Sequence, residues 1–156
     1  MAPVSLPDIV RQVGLELALN AVHKRIDLSL EAPDEVTIDG QALMLRELVI
    51  NLVDNAIRYT PAGGTVALRV LRESTGGALL EVEDSGEGIA EAEREKVFRP
   101  FYRSTASLDT NQAGTGLGLA IVRDVALVHR ATIVLSLGAG GRGLKVSVAF
   151  PPPHLQ

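Results

Sequence analysis

Cysteine is absent from all 156 residues, which removes disulfides, thiolate metal sites and cysteine nucleophiles and suits a reducing cytoplasm. Positive charge is in short supply as well, with 15 Lys+Arg against 19 Asp+Glu and a formal net charge of −4. No overall positive field draws such a chain onto nucleic acid or an anionic membrane, so a bound polyanion has to be held locally. Charges interrupt every apolar run well before the roughly 20 residues that a membrane span needs. No signal peptide is visible. The Gly-Lys dipeptide of phosphate-binding P-loops is also missing. What is present, 46% hydrophobic side chains over 156 residues, suffices for one well-buried core and is short for two. The opening Met1-Ala2-Pro3-Val4-Ser5 reads as a cut made for expression, with a longer natural protein expected.

Along the chain, Ser5 and Asp8 bracket a helix start, and Ile9, Val13, Leu17 and Val22 recur at helical spacing up to His23. Ile26, Leu28 and Leu30 alternate with polar residues, and Val36-Thr37-Ile38 supplies a second strand. Asp39 is expected to cap a long helix from Gly40 to about Tyr59, whose Leu45, Leu48, Val49, Leu52, Val53, Ala56 and Ile57 form one apolar face. Thr65 to Arg72 and Ala78 to Glu83 read as a hairpin. A short helix is expected over Ala90 to Val97 and a mobile polar segment over Thr105 to Ala113. A third helix runs from near Thr115 to about His129. The strands Thr132 to Leu137 and Leu144 to Phe150 follow, joined by the loop Gly138 to Gly143. Hairpins without crossover helices point to an α+β fold, a mixed sheet covered by helices on one face.

Three constellations carry chemistry. In Glu47 to Pro61, residues four apart share a helix face, so Glu47, Asn51 and Asn55 form a polar stripe continued by Arg58 and Tyr59. Carboxamide oxygens are neutral ligands suited to magnesium beside a triphosphate, although asparagines also sit unremarkably on solvated helix faces. In Asp84-Ser85-Gly86-Glu87-Gly88, a carboxylate at a strand end can accept from an exocyclic amine such as adenine N6. Gly86 and Gly88 let backbone approach a flat ring, and Ile89 can pack on it; the same residues also make ordinary turns. In Gly114-Thr115-Gly116-Leu117-Gly118-Leu119, a glycine-rich loop enters a helix, which suits phosphate, or the glycines merely shape a loop. The dinucleotide fingerprint fails because Leu119 stands where its third glycine belongs. Between these, Phe98, Phe101 and Tyr102 are expected to anchor the mobile segment, with Arg99 and Arg103 beside them and able to reach a terminal phosphate.

In order and spacing, these motifs resemble the ATP-binding fold shared by histidine kinases, DNA gyrase, mismatch-repair and heat-shock chaperone ATPases, over roughly Leu6 to Phe150. The asparagine, first glycine, phenylalanine and second glycine boxes of histidine kinases are similar to NLVDNAIRY, DSGEG, FRPFYR and GTGLGL here. The resemblance implies one domain over 1–156 with its core at about 6–150. It implies a Bergerat-type two-layer α/β sandwich, with a mixed, mostly antiparallel sheet under about three helices. It also implies ATP and Mg2+ as ligands, with Asn55 on magnesium, Asn51 and Arg58 near the phosphates, Tyr59 lining the pocket and Asp84 reading adenine. Gly114, Thr115, Gly116, Leu117 and Gly118 would frame a phosphate-binding lid and helix. Many relatives carry arginine where Pro100 stands, which leaves the catalytic, phosphate-facing role to Arg103. Arg130-Ala131 replaces the family's usual glycine pair after His129.

Asn51 separates two trades. Hydrolytic relatives have a glutamate four residues before the magnesium asparagine, where it activates water; asparagine cannot take that proton, so the phosphoryl group is kept for another acceptor. None of His23, His129 and His154 matches the family's His-Glu-x-x-x-Pro acceptor motif. They read as two helix-end residues, favoured there as cations, and one tail residue. The expected activity is therefore the catalytic half of a protein-histidine kinase of two-component signalling, unable to phosphorylate itself. Its implied partners are a dimeric phosphoacceptor domain of the same parent and, through it, a response regulator. The isolated domain is expected to be monomeric and cytoplasmic, and the parent an inner-membrane sensor. A non-catalytic nucleotide-binding module and a hydrolytic ATPase of the same fold are the alternatives.

Overall fold

The computed structural model describes residues 1–33, 35–86 and 118–153. The expected helix at 90–97, the aromatic segment at 97–104 and the polar segment at 105–113 lie outside the described residues. In chain order the elements are β1 (Ala2–Ser5), α1 (Leu6–His23), β2 (Asp27–Glu31), β3 (Thr37–Gly40), α2 (Ala42–Tyr59), β4 (Thr65–Arg72) and β5 (Ala78–Asp84). After the undescribed stretch come α3 (Gly118–Val128), β6 (Thr132–Leu137), a short 3-10 turn (Ala139–Gly141) and β7 (Leu144–Phe150).

Five strands form one sheet in the order β2-β4-β5-β7-β6. Strands β2 and β4 are parallel, and every other neighbouring pair is antiparallel. The two-residue side-chain period of a strand divides the sheet cleanly. Val66, Leu68, Val70, Leu80, Val82, Val146, Val148 and Phe150 are buried in one core with the apolar faces of α1, α2 and α3. The alternate residues face outward as a ladder of ion pairs: Arg69–Glu83 at 2.8 Å, Arg69–Glu81 at 3.6 Å and Lys145–Glu81 at 3.7 Å. The α+β sandwich with helices on one face thus stands as the sequence predicts.

Three local expectations differ. The first residues, read from sequence only as a cut, form β1, which pairs antiparallel with β3 from Ala2 opposite Gly40 to Ser5 opposite Thr37. That partner lies more than thirty residues away in sequence, beyond the reach of local patterning. Second, the connection from β2 to β4 is a crossover, with α2 carrying the chain back so that the two strands run parallel. Third, Asp39 lies within β3 and does not cap α2. The cap position is Gln41, which makes no side-chain cap hydrogen bond. Its backbone N–H instead donates to Nε2 of His129 at 3.0 Å.

That bond also changes the reading of His129. An Nε2 that accepts carries no proton, so Nδ1 is the protonated nitrogen and donates to the Val125 carbonyl at 2.8 Å. His129 is buried and stacks edge-on to Phe150 with ring centroids 6.3 Å apart. It is a neutral staple between α3 and the start of α2, not a cation at a helix end.

The helix ends are closed in two ways. α1 begins with the Ser5 hydroxyl accepting from Asp8 N–H and ends in a Schellman motif, with Ile26 N–H on the Ala21 carbonyl and Arg25 N–H on Val22. α3 ends alike, with Ala131 N–H on Ala126 and Arg130 N–H on Leu127. Arg25 and Arg130 hold the left-handed position, at φ 63° and 55°, which glycine usually fills. α2 has no such turn, because Thr60 leaves the helix extended at φ −101°, ψ 124°.

Candidate functional site

α2 is helical because its apolar residues recur every three or four positions and bury Leu45, Leu48, Val49, Leu52, Val53, Ala56 and Ile57. That burial fixes the rotation of the helix and so turns the stripe of Glu47, Asn51 and Asn55 out of the core. The stripe meets the first described residue of α3. A Cβ built on Gly118 would lie 3.3 Å from Asn51 Oδ1, 3.3 Å from Asn55 Oδ1 and 3.2 Å from Asn55 Nδ2. Both carboxamides thus converge on one small space that a side chain at 118 would fill. Asn51 is oriented by its own helix, since its Nδ2 donates to the Glu47 carbonyl at 2.7 Å and leaves Oδ1 toward Gly118.

Two neutral amide oxygens about one open point suit a hard cation shared with phosphate oxygens, so the residues present fit magnesium. Among the described residues no group of three or more His, Cys, Asp or Glu stands together to hold a metal by itself. Arg58 follows Asn55 by three residues on α2. Its Nε donates to Asp54 Oδ2 at 2.8 Å, an i,i+4 pair with both side chains more than a third exposed, of the kind that contributes at most about 0.5 kcal/mol.

Asp84, at the end of β5, is held differently. One carboxylate oxygen, Oδ1, accepts from Gly86 N–H at 2.9 Å and from Leu144 N–H at 3.2 Å, and neither bond uses Oδ2. Burial raises the Asp84 pKa above the usual aspartate value, opposed by the two N–H donors and reinforced by the Glu83 carboxylate. The turn is fastened further by Thr65 N–H on the Ser85 hydroxyl at 2.8 Å and by Ser85 N–H on the Thr65 carbonyl at 3.1 Å. Tyr59 is half-buried at the end of α2. Its carbonyl lies against Gly86, where an added Cβ would come within 2.5 Å.

Of the site residues expected from sequence, the fold thus brings Asn51, Asn55 and Gly118 together, and Tyr59 with Asp84 and Gly86. Gly88, Ile89, Arg103, Gly114, Thr115, Gly116 and Leu117 lie outside the described residues. Sequence reasoning missed the contribution of the β6–β7 loop, read there only as a connection. Leu144 supplies half of the hydrogen bonding to Asp84 Oδ1 through its backbone. Gly143 before it sits at φ 71° with room for a Cβ only 1.9 Å from the Asp84 carbonyl oxygen. Four glycines in the six residues Gly138 to Gly143 were the available signal, since a loop so rich in glycine commonly serves a close backbone approach.

Residues 40–154 match the model of a family described as histidine kinase-, DNA gyrase B- and HSP90-like ATPase. The chain is 43% identical over 149 residues to the sensor protein kinase PmrB of Pseudomonas aeruginosa, covering 96% of this chain and 30% of that protein. It is 36% identical over 147 residues to the sensor histidine kinase RppB of Synechocystis, covering 94% and 32%. The chain therefore spans about a third of the length of these relatives. Among solved structures, a mycobacterial sensor histidine kinase, MprB, superposes with a TM-score of 0.86 at 27% identity, covering 99% of this chain and all of that one. The ATP-binding domain of PrrB from Mycobacterium tuberculosis superposes at 0.77 and 27%, covering 98% of each.

Proposed function

Because the chain belongs to the histidine kinase-, DNA gyrase B- and HSP90-like ATPase family, we propose that it binds Mg-ATP and donates the γ-phosphoryl group to a histidine. That histidine belongs to a separate dimeric domain of a two-component sensor kinase, which in turn serves a response regulator. In this reading the chain is the cytoplasmic catalytic part of a membrane-anchored parent; no described helix is itself long and apolar enough to cross a membrane. Asp84 accepts from adenine N6 through the oxygen not used by Gly86 and Leu144, and Tyr59 lines the pocket. Asn55, with Asn51 beside it, holds magnesium, and Gly118 lets the phosphates approach. Magnesium bound there would neutralise charge on the phosphate oxygens.

The observation that carries the kinase reading is Asn51, whose Oδ1 faces the same point as Asn55 Oδ1. A carboxamide there orients but takes no proton, so it does not activate water. The bond from the γ-phosphorus to the bridging oxygen breaks, ADP leaves, and the acceptor imidazole nitrogen forms the new bond to phosphorus. The names of two relatives, the sensor protein kinase PmrB and the sensor histidine kinase RppB, support the same assignment.

The test supplies γ-labelled ATP, magnesium and the purified dimeric acceptor domain to the chain. Acid-labile, base-stable phosphate is expected on the acceptor domain and none on the chain alone. Release of inorganic phosphate without transfer would sink the kinase reading. In parallel calorimetry, Asn55→Ala is expected to lose at least about tenfold in ATP affinity with magnesium and little without it. Equal affinities in both conditions would remove Asn55 from the metal.

A further inference from the structure

α2 carries the asparagines, Arg58 and Tyr59, yet it is the described helix that does not close its own C-terminus. The last carbonyls of any α-helix lack intrahelical partners. In α1 and α3 a Schellman turn answers two of them, but Thr60 leaves α2 extended. Thr60 itself answers one carbonyl, its hydroxyl donating to Ala56 at 2.7 Å. The next two are answered from another helix: Lys24 Nζ donates to the Ile57 carbonyl at 2.8 Å and to the Arg58 carbonyl at 2.5 Å. The carbonyl after those, of Tyr59, is the one that packs against Gly86.

Lys24 is itself firmly placed. It is the C-cap of α1 with its N–H on the Asn20 carbonyl, and the Schellman turn through Arg25 and Ile26 follows at once. Two further backbone bonds tie this corner to the loop after α2, Gly63 N–H on Arg25 at 2.8 Å and Asp27 N–H on Gly64 at 3.0 Å. An ammonium there also opposes the negative end of the α2 dipole, in addition to making two charge-assisted hydrogen bonds.

We infer that Lys24 is a positioning residue for the nucleotide site: its ammonium fixes the last turn of α2, and through Tyr59 and Gly86 the turn that presents Asp84. The inference rests on the ATP-binding reading above. Partial burial and the Arg58 guanidinium lower the Lys24 pKa from the usual lysine value, so the two carbonyl bonds hold the ammonium in surroundings that otherwise disfavour its charge. Lysine serves because a four-carbon stem can cross from α1 and spread its donors over two carbonyls.

The experiment compares ATP affinity by calorimetry in the wild-type chain, Lys24→Met, Lys24→Arg and Val13→Ala. Val13 is a fully buried α1 residue that serves as a control for lost stability alone. Lys24→Met keeps the stem and removes the charge, and is expected to weaken ATP binding about tenfold, with Lys24→Arg recovering most of the loss. Val13→Ala is expected to lower the melting temperature and leave affinity unchanged where the protein is folded. The chain holds only two tyrosines, Tyr59 and Tyr102, so tyrosine-selective labelling gives a second readout without nucleotide. The Tyr59 amide resonance is expected to move in Lys24→Met and stay in Val13→Ala. Unchanged affinity and an unmoved Tyr59 in Lys24→Met would overturn the inference, as would a parallel affinity loss in Val13→Ala. Should Lys24→Met not fold, Lys24→Gln takes its place under the same criteria. A wild-type chain that fails to bind ATP would instead overturn the reading on which the inference rests.

Discussion

Among the described residues, the hydrogen bonds at the Asp84 end of the site run to main chain, whereas at the asparagine end the contacts run from side chain to glycine. Asp84 Oδ1 takes N–H groups from Gly86 and Leu144, and Gly143 lies against the Asp84 carbonyl. Asn51 and Asn55 meet Gly118 only through the far ends of two side chains. A main-chain cradle moves only if strands move, while a carboxamide can change rotamer at modest cost. The first arrangement suits a fixed, flat group and the second a cluster of ligands that shifts as charge moves.

The difference is most exposed by adding one methyl group. Gly143→Ala places a Cβ 1.9 Å from the Asp84 carbonyl oxygen at a residue with φ 71°. Left-handed strain and overpacking together should cost about 3 kcal/mol, read as a lowered urea midpoint with unchanged slope. A loss below about 0.5 kcal/mol, the level of an ordinary surface change, would show that the Asp84 cradle yields as readily as the asparagines.

Asp84→Asn probes the same end without adding bulk. The amide oxygen can still accept from Gly86 and Leu144, but the group beside it, which in the proposed reading meets adenine N6, becomes a donor. ATP affinity is expected to fall about tenfold or more, with discrimination between adenine and guanine reduced. Stability should move the other way. The native pKa of Asp84 is raised, by burial first, so its contribution is complete below the unfolded value near about 4 and is lost as pH rises through the native pKa. The variant has no such slope and should therefore gain on the wild type as pH increases across that window. A difference in unfolding midpoint that stays constant as pH rises from about 4 would contradict the assignment.

How far the sequence discloses each end follows from the same contrast. The asparagine end is legible because it is written in side chains at helical spacing, Asn51 and Asn55 four apart on an amphipathic α2. The period-2 strands and the one-sided helical layer are legible for the same reason. The bracing of Asp84 is not, because a backbone N–H such as that of Leu144 has no signature in the residue that bears it, and its loop comes sixty residues later. Arg25 and Arg130 hide their Schellman turns by standing where glycine is usual. Lys24 reads as one more polar residue at a helix end until α2 is packed beside it. His129 reads as a cation until burial and the Gln41 N–H decide its tautomer.

The smallest structural effect is expected at the other end. Gly118→Ala brings a Cβ to 3.2–3.3 Å from atoms of Asn51 and Asn55, a contact that both side chains can relieve by turning. Alanine also favours the helix over glycine by up to about 1 kcal/mol, so the net change in stability should lie within about 1 kcal/mol of zero. Function separates from stability here, because relieving the contact moves the oxygens that converge on one point. The magnesium-dependent part of ATP affinity should therefore fall several-fold while binding of ATP without magnesium is nearly kept. Denaturation and calorimetry on the same sample read both quantities. A stability loss as large as that of Gly143→Ala would erase the contrast between the two ends, and an undiminished magnesium dependence would detach Gly118 from the carboxamide pair.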